Sequence, residues 1–458
     1  MLDFPAELSP PAPVPRAQAL GPISLLRVLA NNPLEAWTTA HFEQPIVISG
    51  LSIGRVAVVS DPAAIRRVLF DNCGNYQKDW LQRRVLSAGL IGGLLTAEGH
   101  NWRTQRRALA PLFARKTVMN FSAAMLDVAG GLVERLAEHE GEVVDVAVEA
   151  TRVTLEVLER TIFSDGLGRT REDIRLAMKG YFETIGRIDP FDMLGVPDFV
   201  PRPARWKLRP MLRVFGSAID TIISTRRECL AADPGGAPRD ILTFLLEAAD
   251  PETGEGLSET EIRANILTFI AAGHETTANC IGWSLFLLSQ SREWRQRVQA
   301  ESDREFDGDP GGLADRLVEI RAVIDESNRL YPPITAISRV AIGRDELAGE
   351  PIKPGTMIVI APYVLHRHRA LWEKPDNFDP NRFSGDARDT IDRFAYLPFG
   401  VGPRICIGAA FALQEASIVI ATIMRNFTLE MVPGCTPWPI QKVTLRPEGG
   451  LPMIVRRR

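Results

Sequence analysis

The chain has 458 residues, 45% hydrophobic and 24% charged, proportions of an ordinary globular protein long enough to bury a large core. Fifty-three basic residues against 57 acidic ones give a net charge of −4, which argues against a general nucleic-acid binder. The cysteines, Cys73, Cys229, Cys280, Cys406 and Cys435, are odd in number and lack CxxC spacing, which argues against a disulfide framework or a zinc site and fits a reducing cytoplasm.

Residues 1–24 are rich in proline and read as an extended lead-in without the basic and apolar regions of a signal peptide. Alternating apolar runs at 45–49 and 55–59 predict a small sheet. Helical patterns then dominate, near 62–70, 100–114, 117–138, 141–163, 170–186, 205–231, 238–249, 259–290, 292–305 and 314–330. Strands are expected at 337–342, 357–361 and 452–456, and a last long helix near 409–425. The pattern predicts a mainly α chain with a minor β region and no internal repeat. The helix at 259–290 opens on a capping box, Ser258-Glu-Thr-Glu261, flanked by Leu257 and Ile262 at staple positions. At roughly 30 residues it would run about 45 Å, enough to cross the molecule. No uninterrupted apolar run reaches the roughly 20 residues of a spanning helix; the most apolar stretch, 266–288, is broken by His274-Glu275-Thr276-Thr277.

Four segments carry chemistry. In Gly99-His-Asn-Trp102-Arg-Thr-Gln-Arg106, Trp102 and Arg106 stand at i,i+4 on one helical face and can reach one partner. Mid-way along the long helix lies Ala272-Gly273-His274-Glu275-Thr276-Thr277. Gly273 would let a flat ring or O2 approach, Glu275 and Thr276 can handle protons, and a Thr hydroxyl can bend the helix by competing for its carbonyls. Glu326-Ser-Asn-Arg329 places an ion pair on one face, and Leu-Tyr-Pro-Pro then ends the helix. Glu172/Arg175 and Glu301/Arg304 share the spacing but not the context. Last comes Phe399-Gly-Val-Gly402-Pro-Arg404-Ile-Cys406-Ile-Gly408. Gly402 and Gly408 permit unusual backbone angles and close approach to a flat ligand. Cys406 opens a helix whose N-terminus favours a thiolate. Phe399 can shield the loop, and Arg404 can pair with a carboxylate.

That last segment resembles the FxxGxRxCxG signature of the cytochrome P450 family at every specified residue. Ala272–Thr277 is similar to the family's [AG]-G-x-[DE]-T-[TS], and Phe378-Asp-Pro-Asn-Arg382-Phe383 to the segment that gives ExxR a second Arg. The resemblance spans residues 25–458 and implies the P450 fold as a single haem-binding unit. It implies haem b (iron protoporphyrin IX) with Cys406 as the iron ligand. Trp102, Arg106, Arg339 and Arg404 would face its propionates, and Phe399, Gly402 and Gly408 would shape the cysteine loop. Ala272 and Gly273 would border an opened oxygen groove, in which Thr276 contacts dioxygen and Glu275 relays protons. The implied reaction inserts one atom of O2 into an apolar small organic substrate. Pocket candidates are Trp80, Leu94, Leu95, Phe182, Phe191, Leu194, Phe269, Ile334, Ile337 and Val443. No ferredoxin or flavin segment is legible, so electrons would come from a separate ferredoxin or flavodoxin-type donor, steered by Arg103, Arg107, Arg115 and Lys116. Two alternatives stay open: a peroxygenase or isomerase of the same fold, which commonly lacks the acid–alcohol pair that is intact here, and a haem-binding sensor. A cytoplasmic protein is expected, with loose membrane contact by 190–205 left open.

Overall fold

The computed structural model describes residues 7–51, 54–79, 92–164, 203–306 and 308–458. The helix expected over 170–186, the 190–202 part of the membrane-contact segment, and Trp80, Phe182, Phe191 and Leu194 lie outside the described residues. Helices of seven or more residues are α1 (Pro22–Asn31), α2 (Gly99–Leu109), α3 (Ser122–Glu138), α4 (Val146–Phe163), α5 (Pro203–Ala232), α6 (Ile241–Glu247), α7 (Glu259–Gln290), α8 (Arg292–Glu305), α9 (Val318–Leu330) and α10 (Ala409–Asn426).

Helix α7 is the axis of the molecule. Its capping box forms as the sequence predicts: Glu261 N–H donates to Ser258 Oγ at 3.3 Å, and Glu261 Oε2 accepts Ser258 N–H at 2.9 Å. From Ala278 to Ser289 every residue is buried, because α4, α9 and α10 pack around that half of the helix. Trp283 stacks on Tyr331 with ring centroids 3.9 Å apart. A helix apolar on all sides is stable in water only as the centre of such a bundle.

The β region sits beside the bundle. Strands β1 (Ile46–Leu51), β2 (Gly54–Val59), β3 (Tyr76–Gln77), β5 (Ile337–Ala341) and β8 (Met357–Ile360) form one sheet in the order β1-β2-β8-β5-β3. Only β2 and β8 run parallel in it. Strands β4 (Val143–Asp145), β9 (Phe427–Met431) and β12 (Pro452–Arg457) make a second sheet. Two hairpins complete the set: β6 (Asp345–Leu347) with β7 (Glu350–Ile352), and β10 (Trp438–Gln441) with β11 (Leu445–Glu448).

Several helix boundaries depart from the sequence pattern: the α-helix expected over 62–70 ends at Arg66, that over 100–114 ends at Leu109, and that over 117–138 divides into Arg115–Met119 and Ser122–Glu138. Two further departures have a visible cause. The helix expected from 141 begins at Val146, because Val143 and Val144 pair with β12 and Asp145 caps the helix by accepting Ala147 N–H at 3.0 Å. The helix expected from 314 breaks at Leu317 and restarts at Val318. Glu301 explains the restart: its two oxygens accept the N–H groups of Glu319 and Ile320 at 2.8 and 2.9 Å. A carboxylate satisfying the free donors of a helix start is a capping interaction made across the fold. Among the described residues no helix is long and apolar enough to cross a membrane.

Glu326 and Arg329 are fully buried and form a two-pronged pair, Nε–Oε2 at 2.6 Å and Nη2–Oε1 at 2.7 Å. Arg329 also donates to the carbonyls of His366, Pro375 and Asn377, and Glu326 accepts Asp379 N–H. Arg382 stands 3.6 Å from Glu326, an ion pair without a hydrogen bond. The pair thus ties α9 to the irregular chain at 366–382. The proline-rich N-terminus is strapped to the same region: Phe378 N–H donates to Leu8 O and Tyr331 OH to Pro11 O, each at 2.8 Å. Replacing Glu326 by Ala is expected to cost on the order of 3–5 kcal/mol, because it strands a buried guanidinium; a denaturant midpoint equal to that of the unaltered protein would contradict this assignment.

Candidate active site

The cysteine loop is held by short backbone bonds. Gly400 N–H donates to Leu397 O at 3.2 Å, Ile405 N–H to Gly402 O at 3.0 Å, and Cys406 N–H to Phe399 O at 2.9 Å. Leu397 N–H is itself fixed by the buried His366 ring at 2.8 Å. Phe399 is half-buried and closes the turn through its carbonyl. Gly402 has φ +80°, and a Cβ there would lie 2.0 Å from Leu69 O, so no other residue fits. Gly408 differs from expectation: its φ of −88° is open to any residue, and nothing lies within 4 Å of where its Cβ would be. Its role is clearance rather than backbone freedom, and its N–H is aimed at the Cys406 sulfur.

Cys406 is solvent-accessible, yet burial pushes its thiol pKa up, with the Gly408 N–H and Arg106 pulling it down. The two observations agree if the sulfur lies at the floor of a cleft, reachable from one side and walled on the others. A cation, a donor N–H and the start of α10 all favour the thiolate there.

The middle of α7 presents the one exposed stretch of an otherwise buried segment. Ala272 is exposed and Thr276, one turn on, is half-exposed, while Phe269, Ile270, His274 and Thr277 are buried. The opened groove is not seen: α7 is continuous from Glu259 to Gln290. The Thr276 hydroxyl donates to Ala272 O at 2.7 Å, adding to the helical ladder without breaking it. Gly273 also needs correction. A Cβ on it would point at Leu158, 3.2 Å away, so its smallness serves the packing of α7 on α4, whereas Ala272 borders the open side. His274 is turned inward, with Nδ1 3.0 Å from Ile270 O, and burial lowers its pKa. Glu275 accepts a hydrogen bond from Thr444 at 2.7 Å.

The basic residues converge. The Arg404 guanidinium lies 4.4 Å over the Trp102 ring and donates to Ala97 O and Glu98. Arg339 is desolvated, which lowers its pKa, with the Arg404 charge acting in the same direction. Arg106, one turn from Trp102, is lowered by burial and feels the Cys406 charge. Sequence reasoning missed Lys78. Its side chain is 7% exposed, donates to Leu95 O at 2.6 Å, and lies 3.5 Å from Glu98. Burial, then Arg404, bring its amine down to about 8. The position follows β3 directly, but nothing in the local pattern marks it. Among the described residues three cations, Lys78, Arg339 and Arg404, face two carboxylates, Asp79 and Glu98, while Arg106 lies beside Cys406. Desolvated excess positive charge is unfavourable by itself and suits a dianionic ligand.

The other expected residues divide by burial and partner. Leu94 and Phe269 are core, the latter edge-on to Phe113 at 5.0 Å. Leu95, Ile337 and Val443 are half-buried and Ile334 is 40% exposed. Arg107 is committed to the fully buried Asp250 at 2.5 Å and Arg115 to Asp315 at 2.6 Å, which removes both from the expected basic patch. Arg103 and Lys116 are exposed, and neither forms an ion pair among the described residues.

The two loop glycines should separate experimentally. Gly402→Ala is expected to prevent accumulation of folded protein, because the clash is with backbone at a positive φ. Gly408→Ala is expected to fold with a near-normal unfolding midpoint and to lose haem affinity only. Equal stability of the two variants would contradict this reading of the loop.

Comparison with known proteins gives a consistent picture. The family model described as cytochrome P450 matches residues 10–453. The chain is 32% identical over 442 residues to a cyclooctat-9-en-7-ol 5-monooxygenase of Streptomyces melanosporofaciens, covering 93% of this chain and 92% of that one. It is 32% identical over 349 residues to a bifunctional cytochrome P450/NADPH–P450 reductase of Bacillus subtilis, covering 74% of this chain but 32% of that protein. The crystal structure of the cytochrome P450DA heme domain superposes with a TM-score of 0.85 at 27% identity, covering 98% of both chains. The family model over nearly the whole chain and the matching fold show that the chain belongs to the cytochrome P450 family of haem-thiolate monooxygenases, whose cofactor is iron protoporphyrin IX.

Proposed function

We propose that Cys406 would supply the thiolate ligand to the haem, and that Trp102, Arg106, Arg339 and Arg404, joined by Lys78, would hold its propionates. The observation that carries this reading is an accessible thiol beside Arg106, together with a cluster of desolvated cations, Lys78, Arg339 and Arg404, that outnumber their carboxylates among the described residues. The haem, when bound, supplies the activation of O2, and a thiolate ligand favours O–O cleavage. The chain's own residues supply the rest. Gly408 N–H and Arg106 steady the sulfur's negative charge. Ala272 keeps the distal face of α7 low, and the Thr276 hydroxyl, bonded back to Ala272 O, stands there as a donor that can rotate. Glu275 takes protons inward from the hairpin side. The intact Glu275–Thr276 pair favours the O2-dependent monooxygenase over a peroxygenase or a sensor.

The substrate is an apolar small organic molecule. Ile334, Ile337 and Val443 with Ala272 offer an apolar lining of the kind small-molecule sites usually have. A cytoplasmic location is supported by the free cysteines. Electrons come from a separate ferredoxin or flavodoxin-type protein of acidic surface. Its docking is supported by Arg103 and Lys116, the latter in the short helix Arg115–Met119, which packs on α10 behind the cysteine loop.

Turnover of a panel of apolar probes that includes cyclooctat-9-en-7-ol, driven by a surrogate ferredoxin, ferredoxin reductase and NADPH under 18O2, is expected to give a product with one 18O. Under the same conditions Arg103→Glu/Lys116→Glu is expected to slow haem reduction about tenfold at low salt and less at high salt, as electrostatic steering requires. Product oxygen drawn from water would contradict the monooxygenase reading, and salt-independent reduction equal to that of the unaltered protein would contradict the docking face.

A further inference from the structure

Glu275 does not stand free in the distal region. Its Oε1 accepts the Thr444 hydroxyl at 2.7 Å, and the Thr444 oxygen accepts Asn279 Nδ2–H at 3.1 Å. Thr444 is 3% exposed and Asn279 9%. Glu275 and Asn279 lie one turn apart on one face of α7, and Thr444 reaches between them from the turn of the β10–β11 hairpin. That turn is itself fixed: Lys442 N–H donates to Thr444 O at 3.0 Å, and Leu445 N–H to Pro333 O at 2.9 Å.

The order of donors sets the direction of the chain. A hydroxyl has one proton. Because the Asn279 amide can only donate through its nitrogen, the Thr444 oxygen accepts there and its single proton is directed at Glu275. The Glu275 oxygen on that bond must therefore be an acceptor. Thr276, the next residue on α7, instead spends its hydroxyl on Ala272 O. The acid and the alcohol of the motif thus point to different partners, and the acid is held on the hairpin side. A carboxylate released from this bond would be free to sample several rotamers, and a proton donor gains its advantage only from a defined position.

We propose that Thr444 is a positioning residue for proton delivery: its hydroxyl, oriented by Asn279, clamps the Glu275 carboxylate in the pose from which protons are passed inward. The proposal rests on the reading of Glu275 as the proton relay. It also joins two regions distant in sequence. Val443, a pocket candidate, precedes Thr444, so the hairpin turn that borders the substrate also sets the acid.

The test uses the haem-loaded full chain with surrogate ferredoxin, ferredoxin reductase and NADPH, at donor concentrations where the rate no longer depends on donor. Oxygen consumption is measured in H2O and D2O for the unaltered protein, Thr444→Val, Thr444→Ser, Glu275→Gln and the double variant Glu275→Gln/Thr444→Val. Crystal structures of the unaltered protein and Thr444→Val are compared. Thr444→Val, which keeps the shape and removes the hydroxyl, is expected to slow oxygen consumption several-fold and to enlarge the solvent isotope effect, with the Glu275 carboxylate in a new rotamer. Thr444→Ser should restore rate and isotope effect. The double variant should be no slower than Glu275→Gln, since residues acting through one another are not additive. A Thr444→Val protein that matches the unaltered one beside an impaired Glu275→Gln would overturn the clamp and leave the relay reading standing. So would losses that add in the double variant, or that Thr444→Ser fails to repair, because they mark a packing role. If Glu275→Gln itself is indistinguishable from the unaltered protein, the relay reading falls and the clamp with it.

Discussion

The proposed function depends on one sulfur, Cys406, that is both solvent-accessible and desolvated. Cys406 meets that constraint because the loop before it is closed by its own N–H on Phe399 O, and because Gly402 lets the turn press against the Leu69 carbonyl. The loop is backed in turn by His366, whose ring holds Leu397, and whose carbonyl is gripped by Arg329. Hydrogen bonds therefore link the buried Glu326–Arg329 pair, through His366 and Leu397, to the backbone of the cysteine loop. Replacing such a pair by apolar residues would in general not weaken a fold. Here its worth lies in geometry, since Arg329 and Glu326 fix four separate backbone groups of the irregular segment 366–379.

Electrostatics complete the site. Bringing Lys78, Arg339 and Arg404 together out of water raises the free energy of the chain alone, and the lowered pKa of Lys78 and Arg339 is the signature of that cost. A bound dianion would offset it, and in the proposed function the cluster would thereby favour the loaded state. Arg107 has the opposite character. Its partner Asp250 is buried and satisfied, so the pair fixes the chain near 250 and leaves little charge for a partner protein. Residues that look alike in a basic stretch of sequence are divided by whether a carboxylate elsewhere in the fold meets them.

The sequence was most legible where chemistry demands fixed spacing. The cysteine loop, Glu275–Thr276 and Glu326–Arg329 could be picked out because a few residue types at set intervals leave little choice, and α7 because its capping box and long apolar run are both local features of the sequence. What could not be read depends on contacts far along the chain. Lys78 joins the site only because β3 pairs with β5, and Thr444 reaches Glu275 only because a hairpin 169 residues away in sequence turns inward. Gly273 was picked out for the approach of a flat ligand, whereas it is small for the sake of Leu158; of the two reasons given for Gly408, unusual backbone angles and close approach, the first falls with its ordinary φ. Local pattern shows that a side chain is missing without showing what its absence makes room for.

The most direct test of the account is the carbon monoxide difference spectrum of the dithionite-reduced protein, beside that of Cys406→Ser. The account predicts the strongly red-shifted Soret band of a thiolate-ligated haem in the unaltered protein and its loss in the variant. The band of a histidine-ligated haem in both proteins, or a red-shifted band that survives in Cys406→Ser, would contradict the assignment of Cys406.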